Sequence, residues 1–194
     1  MLKLPFIYLA SKSPRRQELL QSCGVPFALV DSEIDESDYS EALPNTDIAQ
    51  HLAERKAEQA LKHIPQGIIL AADSLVICNN VVLGKPGDKD DAWRMLRLLS
   101  DQRHDVVTGV CIQDARKRVS FSEISYVTFT VLTDEEIEFY IDHFKPFDKA
   151  GAYAIQEWIG RCKITRIEGS YTNIMGLPTE RVYRTLKEWM MNDG

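Results

Sequence analysis

Apolar residues along the chain follow two rhythms. Mainly apolar runs at residues 6–10, 27–30 and 68–77 read as buried strands. Residues 14–23 read as a helix, with Ser13 as N-cap, Pro14 at its first position and Gly24 as its stop. A second helix spans residues 47–64 with Thr46 as N-cap. There Ile48, Ala49, Leu52, Ala53, Ala57, Ala60, Leu61 and Ile64 fall on one face at about 100° per residue. Asn79-Asn80 predicts a tight turn from strand 68–77 into a short strand at 81–83. Asp88 caps a helix that ends at Leu99. Residues 104–113 and 119–132 read as two long antiparallel strands joined by the polar turn 114–118. Thr133 and Glu136 form a capping box for a helix to about residue 143. A strand at 163–167 and a helix at 178–190 close the chain, and residues 31–45 form an acidic loop. Helices alternate with strands early, and long antiparallel strands follow. That mixture predicts an α/β fold with a mixed sheet.

Composition narrows the function classes. The chain has 194 residues without repeats, low-complexity tracts or a Pro/Gly-rich linker, so it is expected to be a single domain over 1–194. A net charge of −6 excludes a general nucleic-acid coat but leaves room for a small anionic ligand in a local cationic site. Cys23, Cys78, Cys111 and Cys162 form no C-x-x-C pair and none sits within four residues of a histidine, which is not a zinc pattern. They read as reduced and mostly buried thiols. Residues 1–10 lack a signal-peptide layout and are too short to span a membrane, so no membrane partner and a cytoplasmic location are expected.

Four places break local rules. Arg15 and Arg16 occupy the first turn of a helix, where the positive dipole end disfavours cations. They are either solvated or belong to an anion site at the helix start. Lys56 falls inside the apolar face of helix 47–64, so it either snorkels past small alanines or meets an anion. Asp73 is the only charged residue in strand 68–77 and must be paired, hydrogen-bonded or metal-bound. Lys85 stands between Gly84 and Pro86 on a stiff turn, from which it could deliver a fixed cation to a phosphate.

Together these residues oppose the cations Arg15, Arg16, Lys56 and Lys85 to Asp73 and the acidic run Glu33-Ile34-Asp35-Glu36. Metal-assisted cleavage of a polyphosphate needs such a set. Carboxylates hold Mg²⁺ or Mn²⁺ and activate water, while cations bind the phosphates. Neither G-x-x-x-x-G-K-[ST] nor G-x-G-x-x-G is present. Side chains and the first helix start would therefore have to hold the phosphates.

The sequence resembles the Maf family of nucleotide pyrophosphatases. The matching segments are Leu9-Ala10-Ser11-Lys12-Ser13-Pro14-Arg15-Arg16-Gln17-Glu18-Leu19-Leu20, Ala71-Ala72-Asp73-Ser74 and Gly84-Lys85-Pro86. Asp148-Lys149-Ala150-Gly151-Ala152-Tyr153-Ala154-Ile155-Gln156, Gly169-Ser170-Tyr171 and Met175-Gly176-Leu177-Pro178 follow in the family's order. The resemblance implies a two-lobed, inosine-triphosphatase-like α/β fold around a central cleft, divalent-metal-dependent pyrophosphohydrolysis and a homodimer. It implies Asp73 as proton acceptor, Glu36 as its acidic partner, and both as ligands of Mg²⁺ or Mn²⁺. Lys85 joins them as a catalytic cation. Ser11, Arg15, Arg16, Lys56, Ser74 and Gln156 are the implied substrate-binding set. The Asp148–Gln156 segment is similar to that of the dTTP/UTP-type subfamily, whose house-cleaning substrates are pyrimidine triphosphates.

Two departures stand out. Ser74 replaces the usual Thr but keeps its hydroxyl. Ala154 and Glu157-Trp158 replace positions that are often glycine, and Trp158 is expected to fill the core. The competing readings are the same chemistry on another base, such as 7-methyl-GTP, and a non-catalytic nucleotide-binding regulator linked to septum formation.

Overall fold

The structure, a computed structural model, describes residues 4–40 and 42–191. Residues 1–3, part of the segment read as lacking a signal peptide, and Glu41 of the acidic loop lie outside the described residues.

The chain runs β1 (Ile7–Ala10), α1 (Pro14–Ser22), β2 (Phe27–Leu29), α2 (Asn45–His63), β3 (Ile69–Cys78), β4 (Val81–Leu83) and α3 (Lys89–Leu99). It continues through β5 (Arg103–Gln113), β6 (Arg118–Phe129), α4 (Asp134–Phe144), α5 (Trp158–Cys162), β7 (Ile164–Glu168), α6 (Tyr171–Met175) and α7 (Thr179–Met191). The strands form one sheet in the order β2-β1-β3-β5-β6-β7, with β4 beside β3. β1 pairs in parallel with β2 and β3, whereas β3–β4 and β6–β7 are antiparallel. This is the expected mixed-sheet α/β fold. No helix among the described residues is long and apolar enough to cross a membrane.

The main departures from the sequence reading are two element ends and two short helices. α2 begins at Asn45 behind Pro44, so Thr46 lies inside the first turn instead of capping it. Proline presets the helical entry, and the Asp47 N–H bonds the Pro44 carbonyl at 2.8 Å. β6 stops at Phe129 although the apolar run continues to Leu132. There the Leu132 N–H turns to Ser100 Oγ at 2.8 Å, so apolarity marks burial without a sheet ladder. Helices α5 and α6 span five residues each, too short to display a period.

By backbone contacts the chain divides into two compact units. The first holds the residues up to 73, 108–123 and those from 176 on. Its α2 approaches the sheet closely for two reasons. Ala53, Ala57 and Ala60 pack with Ala10, Ile69, Ala71 and Cys111. Gly109 of β5 lies under the helix, where a Cβ would sit 2.2 Å from the Ala49 carbonyl carbon. Any side chain there would push α2 away.

The second unit holds residues 74–107 and 124–175. Its core joins Val76, Leu96, Leu99, Val127, Phe129, Ile137, Tyr140 and Ile159. The capping box of α4 is formed, Thr133 Oγ1 accepting from the Glu136 N–H and Glu136 accepting from the Thr133 N–H. Trp158 is half-buried at the edge of this core, edge-to-face with Phe139 at 5.2 Å between ring centroids.

Candidate active site

In the first unit, β3 delivers Asp73 and α2 delivers Lys56 to a common point. Lys56 Nζ lies 2.5 Å from Asp73 Oδ1 and 2.7 Å from Glu36 Oε1. Both Lys56 and Asp73 are buried. The expected inward-pointing ammonium thus meets two carboxylates. Glu36 reaches it from the acidic loop, and that loop has its own tether. Arg55, the residue before Lys56, donates to the backbone carbonyls of Asp35 and Asp38 and bonds Asp38 Oδ2 at 2.9 Å. The Asp35 carboxylate also accepts from the N–H and hydroxyl of Ser37, which lowers its pKa. Adjacent residues of one helix therefore hold the loop (Arg55) and receive its glutamate (Lys56). Arg55 carries no signal in the sequence, because an arginine on a polar helix face looks like an ordinary solvated residue.

At the start of α1 the two arginines part company. Arg16 is buried; its Nε donates to the Gly176 carbonyl at 2.7 Å and its Nη1 to Ser11 Oγ at 3.0 Å. Ser11 Oγ also accepts from the Ser13 N–H at 3.3 Å. Burial lowers the Arg16 pKa, while Asp73 and Glu36 counter that effect. Arg16 thus ties α1 to the segment before α7 and leaves a guanidinium in the field of the acid pair. Arg15 is half-exposed. Ser13 stands at the N-cap position, but its side chain makes no capping bond, and the first turn has no acidic residue.

The second unit carries Ser74, Lys85 and Gln156. Ser74 is half-buried in β3 immediately after Asp73. Lys85 is exposed, on a turn anchored by buried Pro86 and by the Gly84 carbonyl, which accepts from the Gly151 N–H at 3.0 Å. That bond joins the Gly-Lys-Pro turn to the Asp148–Gln156 segment. Gly151 has φ 66°, and a Cβ there would meet the Val76 side chain at 2.9 Å, so both conformation and space require glycine. Gln156 Oε1 is buried without a hydrogen-bond partner. An orphaned buried acceptor costs about 1–3 kcal/mol unless a ligand satisfies it.

The residues present fit a divalent cation. Among the described residues no three His, Cys, Asp or Glu side chains converge, which argues against an all-protein cage. Two converging carboxylates suit Mg²⁺ or Mn²⁺, which commonly binds through one or two carboxylates completed by phosphate oxygens and water. Lys56 offsets the repulsion that would otherwise drive Asp73 and Glu36 apart.

A mixed α/β sheet presenting a buried aspartate that shares a buried lysine with a loop glutamate, with arginines at the first helix start, marks a phosphate-handling protein, and the chain belongs to the Maf family: the family described as Maf-like protein matches residues 6–189. It is 47% identical over 178 residues to the dTTP/UTP pyrophosphatase of Flavobacterium psychrophilum, covering 91% of each chain. It is 47% identical over 185 residues to the dTTP/UTP pyrophosphatase of Carboxydothermus hydrogenoformans, covering 94% of this chain and 98% of that one. A third relative, the dTTP/UTP pyrophosphatase of Parabacteroides distasonis, is 44% identical over 185 residues.

Proposed function

We propose that the protein is a cytoplasmic nucleoside triphosphate pyrophosphatase that hydrolyses dTTP and UTP to the monophosphate and pyrophosphate. The observation that carries this reading is the buried Asp73 carboxylate, held with Glu36 on the Lys56 ammonium. The relatives' shared activity supports the choice of substrate.

In this reading Asp73 takes a proton from water as its oxygen bonds to phosphorus and the α–β anhydride bond breaks. Asp73 and Glu36 would hold a divalent cation, which would supply acidification of water and offset charge on the phosphate chain. Arg15 and Lys85 bind phosphate oxygens, and Arg16 adds positive potential from its anchored position. Lys56 keeps the two carboxylates together. Ser11 orients Arg16, and the Ser74 hydroxyl contributes to substrate binding.

Gln156 reads the base. Uracil and thymine offer an N3–H donor between two carbonyl acceptors, and the orphaned Gln156 Oε1 is an acceptor in want of that donor. Cytosine offers an unprotonated N3 and an amino donor in their place, so it pairs only with a reversed amide.

The test is Asp73→Asn, assayed for pyrophosphate release from UTP and dTTP. Turnover should fall about 10²-fold or more, as removal of a general base does, with the circular dichroism spectrum unchanged. Activity within a factor of two of wild type would remove Asp73 from the mechanism.

A further inference from the structure

Gln156 lies in a short turn whose two ends meet one hydroxyl. The Ala154 N–H donates to Tyr140 Oη at 3.1 Å, and the same hydroxyl donates to Glu157 Oε2. The Glu157 N–H returns to the Ala154 carbonyl at 3.1 Å and closes the turn. Tyr140 is wholly buried on α4, so its ring cannot move without disturbing the core. Burial, and after it the Glu157 carboxylate, raises its pKa far above the ordinary phenol range, so it remains a donor.

The clamp has a charged support. Glu157 Oε1 lies 3.5 Å from Lys149 Nζ, which is 2.7 Å from Asp148 Oδ1. Lys149 is itself buried. The Asp148-Lys149 pair opens the family-like segment that ends at Gln156, so the segment's first residues brace its last ones. On the far side, Tyr153 Oη and His104 Nε2 pair at 2.8 Å. The backbone on either side of Gln156 is thus fixed before any ligand arrives.

An amide can discriminate uracil from cytosine only if it is prevented from flipping or swinging, since either face of the amide is available to a loose side chain. Discrimination by hydrogen bonding is large where a mismatched partner leaves buried groups unpaired in a rigid site. We propose that Tyr140 is the positioning residue for base selection: its hydroxyl, accepting from Ala154 and donating to Glu157, locks the turn that aims Gln156. This inference rests on the reading of Gln156 as the residue that meets the base.

The test compares kcat/KM for UTP and CTP in wild type, Tyr140→Phe, Glu157→Ala, Glu157→Gln and Gln156→Leu. Tyr140→Phe keeps the ring and removes the clamp. It should lower the UTP/CTP ratio about tenfold, the order expected for a buried hydrogen bond, chiefly through a loss on UTP. Glu157→Ala should do the same. Glu157→Gln, which still accepts from the Tyr140 hydroxyl, should restore most of the ratio. A Tyr140→Phe protein that slows both substrates equally and keeps the ratio has only lost stability, and the proposal falls. Should Tyr140→Phe not fold, the two Glu157 variants decide, and equal ratios in them would overturn the clamp. Gln156→Leu separates the two levels. If it keeps the full UTP/CTP ratio, the reading of the base by Gln156 is itself wrong. If it collapses the ratio while Tyr140→Phe does not, only the role of Tyr140 is lost.

Discussion

Lys56 Nζ stands 2.5 Å from Asp73 Oδ1, and each side chain is only about one-tenth exposed (11% and 10%). A pair so placed is costly to break from one side, because the remaining charge stays buried without its counter-ion.

Lys56→Met should therefore destabilise the protein by about 3 kcal/mol, since it leaves Asp73 and Glu36 facing each other. In a chain of this size that lowers Tm by roughly 6–12 °C. Addition of Mg²⁺ should recover part of the loss, because a divalent ion can replace the ammonium between the carboxylates. Calorimetry with and without Mg²⁺ checks both statements. An unchanged Tm would show that the pair contributes nothing to the fold.

Lys85 should behave in the opposite way. It is exposed on its turn, so Lys85→Ala should change stability by no more than about 0.5 kcal/mol. Its effect belongs to the phosphates: kcat should fall more than KM rises if the ammonium acts chiefly on the transition state. A rise in KM alone would make it a ground-state anchor. Unchanged kinetics would place the phosphates elsewhere.

His104 supplies a pH signature of the second unit. It is 1% exposed, edge-to-face with Phe129 and Tyr153, and burial pushes its pKa down to about 3 from 6.5. The unfolded chain therefore binds a proton that the native protein refuses between those values. The associated stability is present above pH 6.5 and is lost as pH falls toward 3. From pH 7 to pH 5 the loss should be about 2 kcal/mol. Urea unfolding at both pH values should show a smaller loss for His104→Gln than for wild type. Equal losses would mean that His104 is protonated in the folded state.

How much of this was legible in the sequence depends on the kind of signal. Asp73 could be found because a carboxylate interrupts an apolar strand, and Lys56 because its helical phase is wrong for a charge. Arg16 was legible as misplaced, but not as buried, because its carbonyl partner Gly176 is 160 positions away. Tyr140 was hidden by its own helix. With Ile137 and Ile141 it fits the apolar spacing of α4, and nothing in that spacing reveals what its hydroxyl bonds. The acidic loop reads correctly as irregular, whereas its tether through Arg55 leaves no trace in the sequence, since both arms of that contact look solvated in one dimension. The strand alternation sufficed for the mixed sheet. It could not supply the five-residue helices α5 and α6, which tertiary packing imposes without a local period.

The central claim is the reaction itself, and the direct measurement is a product analysis. Purified wild-type protein is incubated with Mg²⁺ or Mn²⁺ and, in turn, UTP, dTTP, CTP and the purine triphosphates, and the monophosphate, diphosphate, pyrophosphate and phosphate are quantified. UTP and dTTP should yield monophosphate and pyrophosphate in equal amounts, much faster than CTP or any purine triphosphate, with the activity lost on chelation and restored by the metal. Release of single phosphates, preference for CTP or a purine, or tight binding without turnover would contradict the account.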